Sequence, residues 1–153
     1  MMQMRSFWAI AAMICSIVLY SCNKNNGPAP ASIFSFKLGT DFYHASTPAA
    51  YLTDTIYDGK KTLVIDGVTN NFGQHMELMI TFPDSVHAGT YTSGVEMSLM
   101  DIQQRQTGYM GNNITVIVTD INSKHAEGIF SGALINGDIE KPLTDGTFKV
   151  QIY

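Results

Sequence analysis

The most regular feature of the chain is an alternation of apolar and polar residues that recurs in many short segments after Ser32. Successive side chains of a β-strand point to opposite faces of a sheet, so this period of two predicts strands with one buried face. The apolar positions that share a face are Phe34, Phe36 and Leu38; Met76, Leu78, Ile80 and Phe82; Ile114, Val116 and Val118; Phe130 and Leu134; and Phe148, Val150 and Ile152. No window keeps a helical period, so we predict no long helix.

Turn-forming dipeptides separate the apolar runs. Asp58-Gly59 lies between TDTIY and KKTLVI and predicts a two-residue β-hairpin. Asn122-Ser123 predicts a second hairpin, and Asn136-Gly137 follows the run GALI. Asp145-Gly146 is predicted to precede the last strand. The positions of these turn-forming dipeptides therefore favour many short strands joined by tight turns.

The strand and turn patterns together predict one all-β domain. We count nine or ten short strands, mostly antiparallel, over residues 32–153. Such strands bury one face by forming a single antiparallel β-sandwich or a flattened barrel. Gly128 and Gly132 lie inside strands and predict bulges or tight bends.

The N-terminal segment has a different pattern. Arg5 is its only charged residue, and Phe7–Leu19 is an apolar run of the length found in secretory signals. The run is shorter than the roughly 20 residues that a membrane-spanning helix needs. Leu19-Tyr20-Ser21-Cys22 resembles the bacterial lipobox, whose cysteine receives a diacylglyceryl group before the signal is removed. We predict a lipoprotein signal peptide over residues 1–21 and lipidation of Cys22.

Two alternatives compete for the N-terminal segment: an uncleaved anchor, and an ordinary signal peptide cut at Ala29-Pro30-Ala31, about ten residues beyond the apolar run. Residues 22–31 contain the stretch NKNNGPAPA, which buries no apolar area and is kept extended by its prolines. We predict that this stretch is a flexible tether and that the lipid attaches the domain to the outer membrane. The tether has no acidic residue, and the choice between the periplasmic face and the cell surface stays open.

Composition narrows the function classes. The chain has 9 basic and 13 acidic residues, so its net charge without Arg5 is about −5, which disfavours nucleic acid as a partner. Of the 2 cysteines, Cys15 lies in the signal and Cys22 is the lipidation residue. The domain therefore has no thiol for a disulfide, a nucleophile or a zinc site. The single tryptophan, Trp8, also lies in the signal.

The polar residues form no recognisable catalytic or metal-binding motif. The histidines are His44, His75, His87 and His125. Their spacing lacks the local ligand pairs of zinc sites. The carboxylates that could form a glycosidase pair are Asp66, Glu77, Glu96 and Asp101. Their spacing selects no two of them. The methionine pairs spaced by three residues fit core packing better than Cu(I) binding. We expect no enzyme activity, metal or cofactor.

Carbohydrate binding would require exposed aromatic side chains, and the domain has only tyrosines and phenylalanines to supply them. The candidates are Tyr43, Tyr51, Tyr57, Phe72, Tyr91 and Tyr109. Several of them are needed in the core. Three tyrosines on one open face would favour a glycan-binding site.

Four segments follow the lipobox and tether in order: FSFKLGTDFYHAS, HAGTYTSG, ITVIVTDINSKHAEGIFSGAL and LTDGTFKV. This order resembles the small Bacteroidota lipoproteins of unknown function. The resemblance covers nearly all of the mature chain and implies a single all-β domain behind a lipid, with no catalytic residues to transfer. Asp54-Thr55-Ile56 and Asp84-Ser85-Val86 also resemble the acceptor sequence for protein O-glycosylation in that phylum.

The sequence therefore predicts a non-enzymatic lipoprotein of the cell envelope. It would act by binding or structural association, through its loops or an exposed strand edge, with another envelope protein as a possible partner. The alternative is a module that binds a glycan or another small ligand. A small hydrolase is a third and more distant alternative.

Overall fold

The computed structural model describes residues 31–104 and 108–153, and residues 31–153 form one compact unit. The described residues contain no helix, and they form ten strands. The strands are β1 (Ile33–Leu38), β2 (Asp41–Ala45), β3 (Ala49–Tyr57), β4 (Lys60–Val68), β5 (Gln74–Thr81), β6 (Gly89–Tyr91), β7 (Val95–Asp101), β8 (Tyr109–Ile121), β9 (His125–Asn136) and β10 (Ile139–Gln151).

All ten strands belong to one antiparallel sheet in the order β2-β1-β10-β9-β8-β7-β5-β4-β3, with β6 paired to β8. The sheet curls strongly into a half-barrel, which brings its two edge strands towards other parts of the sheet. Beside β3, the amide of Tyr153 donates to the carbonyl of Ala50 at 3.1 Å. Beside β2, the amide of Asn70 donates to the carbonyl of His44 at 2.9 Å. The curl therefore places the β4–β5 loop against the edge of β2.

The all-β prediction is confirmed, as is the predicted number of antiparallel strands, although β8, β9 and β10 are longer than predicted, at 13, 12 and 13 residues. Of the two arrangements that the pattern allowed, the curled single sheet corresponds to the barrel-like one. One continuous sheet can bury its own inner face when it curls, because the accumulated twist of many strands brings distant strands face to face.

The inner face of the sheet forms the core. Nearly all of the apolar positions predicted from the alternating pattern are buried there, whereas Ile152 is half-buried at its margin. At the centre, the ring of Phe130 lies 5.8 Å from that of Phe34, 6.0 Å from that of Phe36 and 6.5 Å from that of Phe148. These four rings join β1, β9 and β10 into one packed layer.

Three of the predicted turns are confirmed and one is wrong. Asp58 and Gly59 both have positive φ and connect β3 to β4, as a tight hairpin of this type requires. The turns after Ile121 and Asn136 connect β8 to β9 and β9 to β10. Asp145-Gly146, however, lies inside β10, where the pairing with β9 shifts between Leu143 and Gly146. The left-handed backbone of Asp145 forms a bulge there, so the strand bends without ending.

The predicted signal peptide over residues 1–21 and the lipidation residue Cys22 lie outside the described residues. Within residues 31–104 and 108–153, no helix has both the length and the apolar character that a membrane crossing requires.

Candidate binding site at the edge of strand β2

Two aromatic side chains lie side by side on one face of β2. Phe42 and His44 are two residues apart, and their ring planes are inclined by only 12° with centroids 6.0 Å apart. Phe42 is 62% exposed. Tyr43 points to the opposite face and stacks on the core residue Phe36 at 5.3 Å. The core therefore holds β2 in place while Phe42 and His44 face outward.

The backbone of β2 is also open on one side. The carbonyl of His44 accepts from Asn70, so it points away from β1, and the backbone groups of Phe42 point the same way. Among the described residues, no hydrogen bond joins the N–H or C=O of Phe42 on that side. The edge consequently offers one free donor and one free acceptor beside the Phe42 ring.

The β4–β5 loop that faces this edge is held by a buried threonine. The side chain of Thr69 donates to Oδ1 of Asn71 at 2.7 Å and accepts from the amide of Gln74 at 3.0 Å. The amide of Phe72 donates to the carbonyl of Thr69 at 2.7 Å. Thr69 itself is 3% exposed, so water does not compete for these bonds. The loop is thus built as a fixed element.

The side chain of Asn70 attaches the loop to β2. Its Oδ1 accepts from the amide of Ser46 at 3.1 Å and from the hydroxyl of Ser46 at 3.2 Å. Together with the bond from the Asn70 amide to His44, these contacts connect two segments that are 24 residues apart in sequence. These contacts of Asn70 fix the position of the loop relative to Phe42.

The hydrogen bonds also fix the direction of two side-chain amides. Oδ1 of Asn70 accepts from a backbone N–H, and Oδ1 of Asn71 accepts from the amide of Gly73 at 3.0 Å. Only the oxygen of a carboxamide can accept, so the Nδ2 group of each residue must lie on the opposite side. Neither Nδ2 group has a hydrogen-bond partner among the described residues. Each amide is therefore positioned to donate to a ligand.

Phe72 combines exposure with an unfavourable backbone. Its φ is +57°, in the left-handed region, and its side chain is 76% exposed. The other described non-glycine residues with positive φ are Asp58, Asn113 and Asp145. Asp and Asn tolerate this conformation because their short side chains bond locally, whereas a bulky residue there is an outlier. Neither solvent exposure nor backbone preference favours phenylalanine at this position.

Two shallow depressions flank the loop, and each has a volume of about 490 Å³. Both are lined by Thr69 and Asn70, with Phe42 in the first depression and Phe72 in the second. Tyr43 also lines the first depression. Burial, followed by the nearby Asp41 carboxylate, raises the pKa of Tyr43 above its ordinary value.

The aromatic candidates from the sequence divide into three groups. Tyr91 lies in the core, where its hydroxyl donates to the carbonyl of His87 at 2.7 Å. Tyr109 packs against the core, as Tyr43 does. Tyr51 and Tyr57 are exposed on β3, and of the candidates only Tyr43 and Phe72 line the two depressions beside the loop. Only two of the candidate tyrosines are exposed, so the structure does not show the three tyrosines on one open face that would favour a glycan-binding site. Phe42 is not among the aromatic residues predicted from the sequence, although its alternation with Tyr43 in the segment DFYHA is a signal that places it on an outer face.

The carboxylates proposed for a hydrolase do not gather in a described depression. Asp66 lies opposite Glu77 in the pairing of β4 with β5, and its Oδ2 is 2.8 Å from Nε2 of His75. Glu96 accepts from the hydroxyl of Tyr57, and Asp101 accepts from two amides of the turn that follows β7. Of the three described depressions, none is lined by two of these carboxylates.

The histidines are dispersed in the structure as they are in the sequence. His44 belongs to β2, His75 pairs with Asp66, and His125 lies 2.7 Å from Asp120. Within the described ranges, no three His, Cys, Asp or Glu side chains are arranged to hold a metal ion. The two proposed glycosylation residues, Thr55 and Ser85, are both exposed.

Comparison of the chain with protein-family models, with curated proteins and with solved structures gave no match.

Proposed function

We propose that this protein is a non-enzymatic binding module of the bacterial cell envelope, anchored by lipid on Cys22 to the outer membrane. The lipobox, the short apolar run before it and the resemblance to small Bacteroidota lipoproteins support the anchor. The face that binds is formed by β2 and the β4–β5 loop, which we call the β2–loop site. Its members are Phe42, His44, Thr69, Asn70, Asn71 and Phe72.

The observation that supports the proposal most strongly is the combination of a left-handed backbone and an exposed side chain at Phe72. A residue that is strained in its backbone and apolar in water lowers stability, so its presence needs another explanation. The loop around it is rigid, which reduces the entropy lost when a ligand binds. An exposed aromatic ring on a rigid support is typical of binding surfaces, where it buries a large area at low entropic cost.

The shape of the site favours an extended partner. Both depressions are shallow and open, and they adjoin each other across Thr69 and Asn70. Two classes of envelope partner fit such a surface: another protein or a glycan. The combination of aromatic rings with outward amide donors favours the glycan.

Replacing Phe72 with asparagine tests the binding role. We expect the free energy of unfolding to rise by about 1 kcal/mol, because asparagine adopts the left-handed conformation at lower cost. We also expect the full-length protein, kept soluble in detergent, to lose its retention on immobilised envelope material from a Bacteroidota host. Urea denaturation and a retention assay measure the two effects.

The matched control is Ile139→Asn, which removes an exposed apolar side chain from β10 outside both depressions. This variant should gain no stability and should keep its retention. If Phe72→Asn is retained as well as the unaltered protein, the β2–loop site is not the binding face.

Lipidation is tested with the two cysteines of the chain. We expect cells that express the unaltered protein to incorporate labelled palmitate into it and to place it in the outer-membrane fraction. The Cys22→Ala variant should incorporate no label, because the thiol that accepts the diacylglyceryl group is absent. The Cys15→Ala variant is the control and should be labelled normally. Equal labelling of the two variants would contradict the anchor.

A further inference from the structure

The β2–loop site presents hydrogen-bond donors whose direction is set by the fold. The Oδ1 atoms of Asn70 and Asn71 are occupied by backbone amides, so only their Nδ2 groups can meet a ligand. Both residues line the first depression, and Asn70 also lines the second. Fixed carboxamide donors suit a ligand that is rich in neutral oxygen acceptors, such as hydroxyl and ring oxygens.

Aromatic rings flank these donors in both depressions. Phe42 lies beside His44 in the first depression, and Phe72 lines the second. The face of an aromatic ring carries partial negative charge and attracts the weakly positive edges of C–H groups. A sugar ring has both parts that the site would match, since its C–H face is apolar and its rim carries hydroxyl groups.

The charges of the site disfavour an anionic ligand. Among the described residues that line the two depressions there is no lysine or arginine. Asp41 lines the first depression, with Nζ of Lys141 4.0 Å from its carboxylate, and Asp66 lines the second, 2.8 Å from Nε2 of His75. Phosphate, sulfate and uronate groups bind where cationic side chains or helix N-termini receive them. A neutral ligand therefore fits the site better than a charged one.

The free edge of β2 is too short to bind an extended peptide as an added strand. Strand addition depends on a run of free backbone donors and acceptors along the edge. Here the carbonyl of His44 is already bonded to the amide of Asn70, so the loop ends the free edge beside Phe42. The backbone groups of Phe42 can instead serve as two further polar contacts for a ligand that binds in the first depression.

We infer that the ligand of the β2–loop site is a neutral oligosaccharide, recognised by the Nδ2 groups of Asn70 and Asn71 between the Phe42 and Phe72 rings. This inference depends on the proposed function, because it names the ligand class of the same site. Each depression, at about 490 Å³, is within the roughly 300–1,000 Å³ of small-ligand sites. A chain of sugar units can occupy both depressions by crossing the loop at Asn70.

The test removes the Nδ2 donors of Asn70 and Asn71 and keeps the Oδ1 contacts that hold the loop. In Asn70→Asp and Asn71→Asp, the oxygen that accepts from the backbone remains, and only the outward N–H groups are lost. The full-length protein in detergent is applied to an array of neutral and acidic oligosaccharides, and the bound species are titrated by calorimetry. We expect saturable binding to neutral members, weakened about tenfold or more by each substitution. The control Asn136→Asp adds the same charge on β9, outside both depressions, and should bind normally.

Several outcomes would overturn the inference. Binding that is confined to acidic oligosaccharides, or that survives both substitutions with unchanged affinity, would contradict the ligand class or the site. Thermal unfolding of the variants should match that of the unaltered protein, because aspartate keeps the Oδ1 contacts that hold the loop. A lower unfolding temperature would show that the Nδ2 groups stabilise the fold and would overturn their assignment to a ligand.

Failure of the inference can be separated from failure of the proposed function by pretreating the envelope material. Retention that is abolished by protease and resists periodate oxidation would identify a protein partner, leaving the binding function and overturning the oligosaccharide. Retention that is abolished by periodate and resists protease would support the oligosaccharide. Absence of retention on untreated material would overturn the proposed function and the inference that depends on it.

Discussion

Replacing Phe130 with alanine is expected to lower the free energy of unfolding by about 3–5 kcal/mol, the usual cost of removing a fully packed aromatic ring. Phe130 is the centre of the aromatic layer, since its ring contacts those of Phe34, Phe36 and Phe148 at centroid distances of 5.8–6.5 Å. These neighbours belong to β1 and β10, which hydrogen bonds hold in register, so they cannot move inward to fill the cavity. Most of the cavity cost therefore remains after relaxation.

Urea denaturation followed by circular dichroism measures the loss, and the neighbouring residue provides the control. Ile129 is 50% exposed on the opposite face of β9, so Ile129→Ala should cost about 1 kcal/mol or less. If the two variants lost equal stability, the aromatic layer would not be the main source of packing energy.

The Phe130 substitution also has a consequence for the proposed β2–loop site. Phe36 contacts Phe130 on one side and stacks on Tyr43 of β2 on the other. The packing of β2 therefore continues directly into the aromatic layer. We expect ligand affinity to fall with Phe130→Ala even where the protein remains folded. The contacts from Phe130 through Phe36 to Tyr43 hold strand β2 in place, and β2 carries the Phe42 ring.

The second large effect is expected from Gly128→Ala, with a loss of about 3 kcal/mol. A Cβ atom at this position would lie 2.5 Å from the carbonyl oxygen of Ile117 and 2.5 Å from the ring of Phe148. The first contact is with backbone of the adjacent strand β8, which cannot turn aside as a flexible side chain could. Gly128 lies opposite Phe148 in the pairing of β9 with β10, so the ring occupies the space that the missing side chain leaves.

Gly89→Ala is the matched control, because it is also a strand glycine. The nearest atom to a Cβ at Gly89 is 3.5 Å away, which is ordinary van der Waals contact. That variant should lie within about 0.5 kcal/mol of the unaltered protein or gain slightly from the reduced entropy of its unfolded state. Similar losses in thermal or urea unfolding for both glycines would show that the close approach at Gly128 does not matter.

The elements that sequence predicted well depend on local chemistry. The alternation in Gln74–Thr81 was sufficient to predict which side chains of β5 are buried, because a strand imposes that alternation wherever it lies. The Asp58-Gly59 hairpin followed from the preference of these residues for positive φ. The lipidation of Cys22 is a prediction of the same local kind, since a processing signal is recognised as a short sequence.

The turn predicted at Asp145-Gly146 shows where local chemistry is insufficient. The same dipeptide preference for positive φ can end a strand or form a bulge inside one. The result depends on whether the neighbouring strand continues alongside. Here β9 pairs with β10 on both sides of the bulge, so the strand continues. The partner strand, which no local window contains, determined the outcome.

The sequence by itself determined the fold class, most of the buried face and the predicted signal for lipid attachment, because each follows from residue preferences over a few positions. The tertiary structure alone decided that Phe42 and Asn70 belong to one site. They are far apart in sequence, and only the curl of the sheet brings the β4–β5 loop to the edge of β2. That curl is the accumulated twist of ten strands, a property of the whole sheet that no single segment specifies.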